Sequence, residues 1–227
     1  MLPTAWRKNP LIYEINTWVW LWALSQQVGR TITLGSVPDE TLDALAAWHF
    51  DAVWLMGVWE RSEAGTQVAR EHPGLQQEYR HALPDYQIED VVGSPYCIHH
   101  YTVDKHLGGK TELATLRERL AARGMKLILD FVPNHVSIDH PWLWTHPECF
   151  IQATEQEAQE KPDYFFESTV STQRRYFANG RDPYFPAWTD TAQLNAFSPV
   201  LRANVVDTLQ DIADQCDGVR CDMAMLV

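Results

Sequence analysis

Four short apolar segments constrain the fold of this chain more than any other feature. They are LIYEINT (Leu11–Thr17), DAVWLMG (Asp51–Gly57), KLILDFV (Lys126–Val132) and GVRCDMA (Gly218–Ala224). Each is dense in β-branched or aromatic residues, as expected of strands covered on both faces. Helical patterns precede the last three. Residues 38–49 begin with Pro38 and acids in the first turn, and set Leu42 and Leu45 on one face. Residues 110–124 place Leu113, Leu116 and Leu120 at helical spacing and stop at Gly124, a C-terminal cap. Residues 198–216 have Ser198 as N-cap and Pro199 at the first helical position, then Val205, Leu209 and Ile212 near one-turn intervals. This alternation predicts an α/β fold with a parallel sheet and helices outside it.

Two strand-to-helix connections are long, from about Val58 to Lys110 and from about Pro133 to Phe197, whereas the returns are short. Long connections of this kind are usually functional or form small subdomains. Their position predicts elaborated loops at the C-terminal ends of the strands, where barrel and open α/β enzymes build their sites.

The chain has 227 residues and a formal net charge of −12. That balance argues against nucleic acid or an anionic membrane as a partner. The start, MLPTAWRKNP, shows no secretory pattern, and the apolar run Trp18–Leu24 is too short to span a bilayer. Cys97, Cys149, Cys216 and Cys221 lack metal-ligand spacing, which suggests reduced thiols and a cytoplasmic location. The 10 tryptophans and 8 tyrosines exceed what a core of this size needs, so some could stack on sugar rings while most pack internally.

Strand alternation puts Ile128 and Asp130 on one face, and Arg220 and Asp222 on one face of the last strand. If these strands are neighbours, Asp130, Arg220 and Asp222 converge. Two buried carboxylates need a partner, which Arg220 can supply. Asn134 and His135 are expected to begin the loop after Pro133. Taken singly, each has a structural explanation: a buried ion pair for Asp130 or Arg220, a loop hydrogen bond for His135.

These segments resemble the alpha-amylase family of glycoside hydrolases, whose catalytic domain is an eight-stranded TIM barrel. DFVPNH (Asp130–His135) is similar to the signature at the end of the family's third strand, and DGVRCDMA (Asp217–Ala224) to that at the end of the fourth. GSPYCIHHYTVDKHLGG (Gly93–Gly109) resembles the lead into the third unit, and TDTAQLN (Thr189–Asn195) a motif near the end of the inserted domain B. The resemblance implies the N-terminal half of a TIM (β/α)8 barrel. Residues 1–132 would form barrel units one to three, 133–197 a domain-B-like insertion, and 198–227 the third helix and fourth strand. It implies a retaining glycosidase or transglycosylase acting on an α-glucan or α-glucoside. Asp222 would be the nucleophile and Arg220 would orient and ionise it. Tyr96 would stack beneath the sugar, His135 would contact a sugar hydroxyl, and Asp130 and Asn134 would support the pocket.

Three departures from the family pattern shape the expectations. His100 stands where an Asp is frequent, before Tyr101. Leu226 replaces a histidine of the calcium-dependent members and Asn134 alone cannot bind calcium, so no classical calcium site is expected; separately, no other metal and no cofactor are expected. A retaining glycosidase also needs a second carboxyl about 5–5.5 Å from the nucleophile. The family supplies it after the fifth strand, whereas this sequence stops after the fourth. The expectation is an incomplete catalytic domain with little turnover by itself, whose open edges favour a second half-barrel or self-association. Two other classes compete. One is a non-catalytic sugar-binding or scaffold remnant. The other is a metal-dependent hydrolase, against which stand the absence of HxH or HExxH and the expectation that His99 and His100 face opposite ways.

Overall fold

The structure, a computed structural model, describes residues 5–227. Its strands in chain order are β1 (Ile12–Asn16), β2 (Ala52–Met56), β3 (Trp59–Arg61), β4 (Ile98–Val103), β5 (Lys126–Phe131), β6 (His135–Ser137), β7 (Gln152–Ala153), β8 (Phe165–Val170), β9 (Gln173–Gly180), β10 (Trp188–Gln193) and β11 (Gly218–Cys221). The helices are α1 (Thr17–Val28), α2 (Asp39–Ala47), α3 (Glu63–Glu71), α4 (Pro73–Ala82), α5 (Gly109–Ala122), α6 (Trp142–Thr145), α7 (Glu155–Glu160) and α8 (Pro199–Ala213). They divide between two compact units.

The first unit takes the residues up to Val58, Thr102–Phe131 and Leu209–Arg220. Its sheet has the order β1-β2-β5-β11. The four strands are those expected from the apolar segments, and β1, β2 and β5 pair in parallel, with Ile15 opposite Leu55 and Leu55 opposite Leu129. Val53, Leu55, Leu127 and Leu129 are almost fully buried, so this sheet is covered on both faces at its centre. The fold is α/β with an open partial barrel: the four strands do not close on themselves. Leu113, Leu116 and Leu120 of α5 bury the face that their spacing predicts. Asp217 locks the return to β11. Its Oδ2 accepts the Leu127 N–H at 2.9 Å, and its Oδ1 accepts from Arg117 Nη2 at 2.7 Å.

Two features of this unit differ from expectation. α1 carries no obvious helical pattern because Trp18, Trp20 and Trp22 alternate with other apolar residues. It is set by its ends: Asn16 accepts the Val19 N–H, and Gly29, at φ 73°, closes the helix in the left-handed conformation. β11 ends at Cys221 rather than continuing to Ala224. The chain turns there, with Met223 left-handed at φ 49°, and this puts Asp222 just past the strand.

The second unit comprises Trp59–Tyr101, Val132–Thr208 and Cys221–Val227. Its main sheet is β6-β10-β9-β7, with β8 also pairing β9, and all of the registered pairs are antiparallel. Phe177 is fully buried at its centre, with Phe150 edge-on at 5.7 Å between ring centroids. Val136, Leu143, Leu194 and Leu201 belong to the same core. β3 pairs with β4, and α3 and α4 fill the stretch between them. α3 starts on the Ser62 cap, whose Oγ accepts the Gly65 N–H at 2.7 Å. Gly65 has a steric reason as well, because a Cβ there would meet the Cys97 Sγ at 2.5 Å.

Phe177→Ala should therefore cost about 3–5 kcal/mol through the cavity it leaves. A urea titration checks this, and a loss of under about 1 kcal/mol would mean the second unit does not depend on that ring.

Candidate active site

In the first unit the candidate chemistry gathers on Asp130, at the C-terminal end of β5. The side chain is 1% exposed. Oδ1 accepts from Trp54 Nε1 at 3.0 Å, and Oδ2 accepts from the Gly57 N–H at 3.2 Å. Arg220 Nη1 lies 3.6 Å from Oδ1, and the guanidinium sits 4.7 Å from the centre of the Trp54 ring. Of the three residues expected to converge, Asp130 and Arg220 approach each other on neighbouring strands, whereas Asp222 lies past the end of β11. Trp54 closes the arrangement by donating to the carboxylate through its edge and receiving the cation on its face. Gly57, at φ 78°, exposes its N–H to Asp130 in a conformation that favours glycine, and its carbonyl accepts from Trp18 Nε1 at 3.2 Å. Both Asp130 oxygens thus already accept N–H donors, an arrangement for an ionised acceptor rather than a proton donor.

In the second unit, Asn134 and His135 lie side by side and are almost fully buried, at 1% and 4% exposure. His135 was expected in a loop but opens β6, which pairs with β10 so that Gln193 faces His135 and Ala192 faces Val136. A strand of three residues has no sequence signature of its own; its partner strand creates it. Gln193 Nε2 donates to the Asn134 carbonyl and to Asn134 Oδ1, both at 2.9 Å. That leaves the Asn134 amide nitrogen toward His135 Nδ1 at 3.3 Å. An amide nitrogen only donates, so Nδ1 accepts and the ring proton sits on Nε2. The Trp188 ring packs 5.0 Å from the imidazole. Gly180 admits this packing, since a Cβ there would lie 3.0 Å from the His135 Cβ. The Tyr96 backbone hydrogen-bonds His135, and the Tyr96 N–H is itself held by Ser94 Oγ at 3.2 Å. Tyr96, Asn134 and His135 are therefore brought together.

Asp222 is 7% exposed in the turn after β11. The sequence reading did not single out Gln193, Trp188 or Trp54 as site residues. Gln193 lies in the quoted segment TDTAQLN, so that motif carried the signal, but only the pairing of β10 with β6 reveals its target. Trp54 was legible as a strand residue; its role depends on the partner across the sheet.

A second polar group surrounds Asp139. Its Oδ1 accepts from Ser62 Oγ at 2.7 Å and its Oδ2 accepts the Ala64 N–H at 3.2 Å, which ties the turn after β6 to the start of α3. His99 Nδ1 is 3.3 Å from Oδ1. The His99 and His100 rings do not part to opposite faces: they meet edge to face with centroids 4.5 Å apart, and His140 lies 6.1 Å from His100. No group of three or more His, Cys, Asp or Glu among the described residues is arranged to hold a metal ion.

The sequence matches the family model described as "Alpha amylase, catalytic domain" over residues 39–227. Alpha-amylase MalA of Haloarcula japonica is 25% identical over 223 residues, which are 98% of this chain and 26% of that protein. The amino acid transporter heavy chain SLC3A1 of Mus musculus is 24% identical over 145 residues, covering 57% of this chain and 20% of its own length. Among solved structures, an alpha-amylase from Lactobacillus plantarum superimposes with a TM-score of 0.63 at 22% identity, over 96% of this chain and 39% of that one. The chain thus spans about a quarter of the length of MalA.

Burial makes the site histidines acid-sensitive. Desolvation lowers His135 to about 4, opposed by its bond to the Tyr96 backbone, and desolvation lowers His140 to about 3, aided by the nearby His100 and His99. The unfolded chain protonates these rings near pH 6.5, so between that pH and the folded values the unfolded state binds more protons. Their contribution to stability is complete above pH 6.5 and declines as the pH falls toward 4. For His135 the loss is on the order of 3 kcal/mol. Ring-proton NMR should show both residues neutral at pH 5.5, and a midpoint above 6 for either would contradict the burial argument.

Proposed function

The chain belongs to the alpha-amylase family, and from that premise we propose that it carries part of a retaining machinery for α-glucosidic bonds, with an α-glucan or α-glucoside as substrate. Asp222 attacks the anomeric carbon as the glycosidic C–O bond breaks, forming a glycosyl ester. Water, or an acceptor hydroxyl in a transfer reaction, then releases the sugar and regenerates the carboxylate. Arg220, two residues earlier, supplies positive charge that favours the ionised nucleophile. His135, neutral and held between Asn134 and the Tyr96 backbone, contacts a sugar hydroxyl. Tyr96 gives an aromatic surface to the ring, and Asn134 fixes His135. Asp130 holds Arg220 and the strand ends in place.

The observation that carries this reading is the Asp130–Arg220 approach at the ends of adjacent strands, 3.6 Å apart over the Trp54 face. Structural ion pairs of this kind exist in many folds, but this one joins the two motifs that match the family signatures. The leaving-group oxygen must also receive a proton, a step that contributes on the order of 10²–10⁴ in rate. We assign that donor to no residue of this chain, since the Asp130 oxygens are both engaged by N–H groups.

A second reading is a non-catalytic sugar-binding or scaffold role. It is favoured by the similarity to a protein named as a transporter heavy chain rather than as a glycosidase.

Covalent trapping separates the two. A protein preparation containing this chain, treated with 2-fluoro-α-glucosyl fluoride and mapped by peptide mass spectrometry, should carry one glycosyl adduct on Asp222. Asp222→Asn should abolish it. An adduct on another carboxyl would overturn the nucleophile assignment, and absence of any adduct would favour the non-catalytic reading.

A further inference from the structure

The sequence between β3 and β4 forms α3, α4 and a connecting loop, of which the proposed chemistry uses only Tyr96. This stretch walls a cavity of about 440 Å³ that lies within the second unit. The size falls in the range of small-molecule sites, roughly 300–1,000 Å³. α4 has no buried residue, yet it directs Leu75, Tyr79 and Ala82 toward this cavity. Leu75 and the following Leu83 remain 38% and 45% exposed. The far wall is formed by the segment Asp90–Ser94 and by Asp190 of β10.

Three observations define what the cavity suits. First, Tyr79 and Tyr86 touch each other, with ring centroids 5.7 Å apart and planes inclined by 39°. Nothing can be sandwiched between rings already in contact, so they present one continuous apolar surface, suited to the C–H face of a pyranose rather than to a point charge. Second, polar acceptors rim that surface. Asp90 spends one oxygen on the Gln87 N–H, and the Asp190 carboxyl has no Lys, Arg or His within ion-pair distance among the described residues. Burial pushes the Asp190 carboxyl upward, opposed by hydrogen bonds from its own backbone N–H and the Cys97 thiol, and burial, with smaller contributions from Tyr86 and Asp190, raises the Tyr79 phenol. A desolvated acceptor without a cationic partner gains most from hydroxyl donors brought by a ligand.

Third, the cavity wall is continuous with residues of the candidate site. Ser94 holds the Tyr96 N–H. Asp190 lies on the same strand as Trp188, which packs on His135, and Gln193, which holds Asn134. Gly93 is fixed between the two. Its carbonyl accepts from Arg61 Nη1 at 2.7 Å, and its φ of 78° together with a close approach to Thr66 excludes a side chain.

We propose that this cavity is an accessory glycan subsite, in which a glucosyl unit stacks on the Tyr79–Tyr86 surface and donates hydroxyl hydrogen bonds to Asp190 and Asp90. The ligand class rests on the functional reading above, while the location rests on the cavity itself.

The test is an NMR titration of the isotopically labelled chain with maltotriose. Amide signals of Tyr79, Leu83, Gly93 and Asp190 should shift saturably. Tyr79→Ala should weaken that response about tenfold or more, since it removes half of the aromatic surface. Asp190→Asn, which keeps the shape, should weaken it as well. Shifts confined to Tyr96 and His135 would refute the subsite and leave the functional reading standing. Shifts confined to the cavity would sustain the subsite and count against the assigned sugar contacts. No shift at either place would overturn both. A response to tetramethylammonium in place of maltotriose would show a cation pocket and defeat the proposal.

Discussion

The carboxylate of Asp130 is the group on which the candidate chemistry of the first unit depends. It is almost wholly removed from water, and its neighbours are drawn from two other strands: the Trp54 indole in the middle of β2 and the Gly57 amide just after it, and Arg220 on β11. An isolated buried carboxylate costs several kcal/mol, so those strands must supply donors if the sheet is to form in this register. Sliding β2 or β11 by one residue would turn Trp54 or Arg220 to the other face and strand the charge. The carboxylate thereby specifies an alignment that apolar packing alone leaves loose, because Val53, Leu55, Leu127 and Leu129 would be buried in several registers.

In the second unit an amide does comparable work. Gln193 binds both the carbonyl and the side chain of Asn134, which sets the amide orientation and through it the His135 tautomer. Desolvation then keeps the ring neutral, and its one N–H is held by the Tyr96 backbone. The chemistry attributed to His135 therefore originates partly on β10, nearly sixty residues further along the chain.

What could be read from the sequence follows the physics of each element. The four strands of the first unit were legible because each is a short, continuous apolar run, and α2, α5 and α8 because their apolar residues recur at helical spacing. α1 was not, since its tryptophans blur the period and only its Asn16 and Gly29 ends identify it. β6 through β10 were not, because short antiparallel strands in a long connection are defined by their partners. Among site residues, Asp130 and Arg220 were legible through alternation on neighbouring strands. The grouping of Tyr96 with His135 came from family resemblance and required tertiary structure to describe. Gln193, Trp188 and Trp54 were hidden because each acts across a sheet. The Tyr79–Tyr86 surface was hidden for a related reason, since Tyr79 sits on a solvent-facing helix with no buried residue.

The dependence of the sheet on the Asp130 carboxylate is best tested by a double-mutant cycle. Unfolding free energies would be measured for the parent, Asp130→Asn, Arg220→Gln and the double variant. Removing one partner of a buried pair typically costs about 3–5 kcal/mol, with the lower end expected here because Arg220 is one-third exposed. The double variant should be markedly less destabilised than the sum of the singles, with a coupling of about 1 kcal/mol or more. Strict additivity within about 0.3 kcal/mol would contradict that dependence, and would leave the strand register to apolar packing alone.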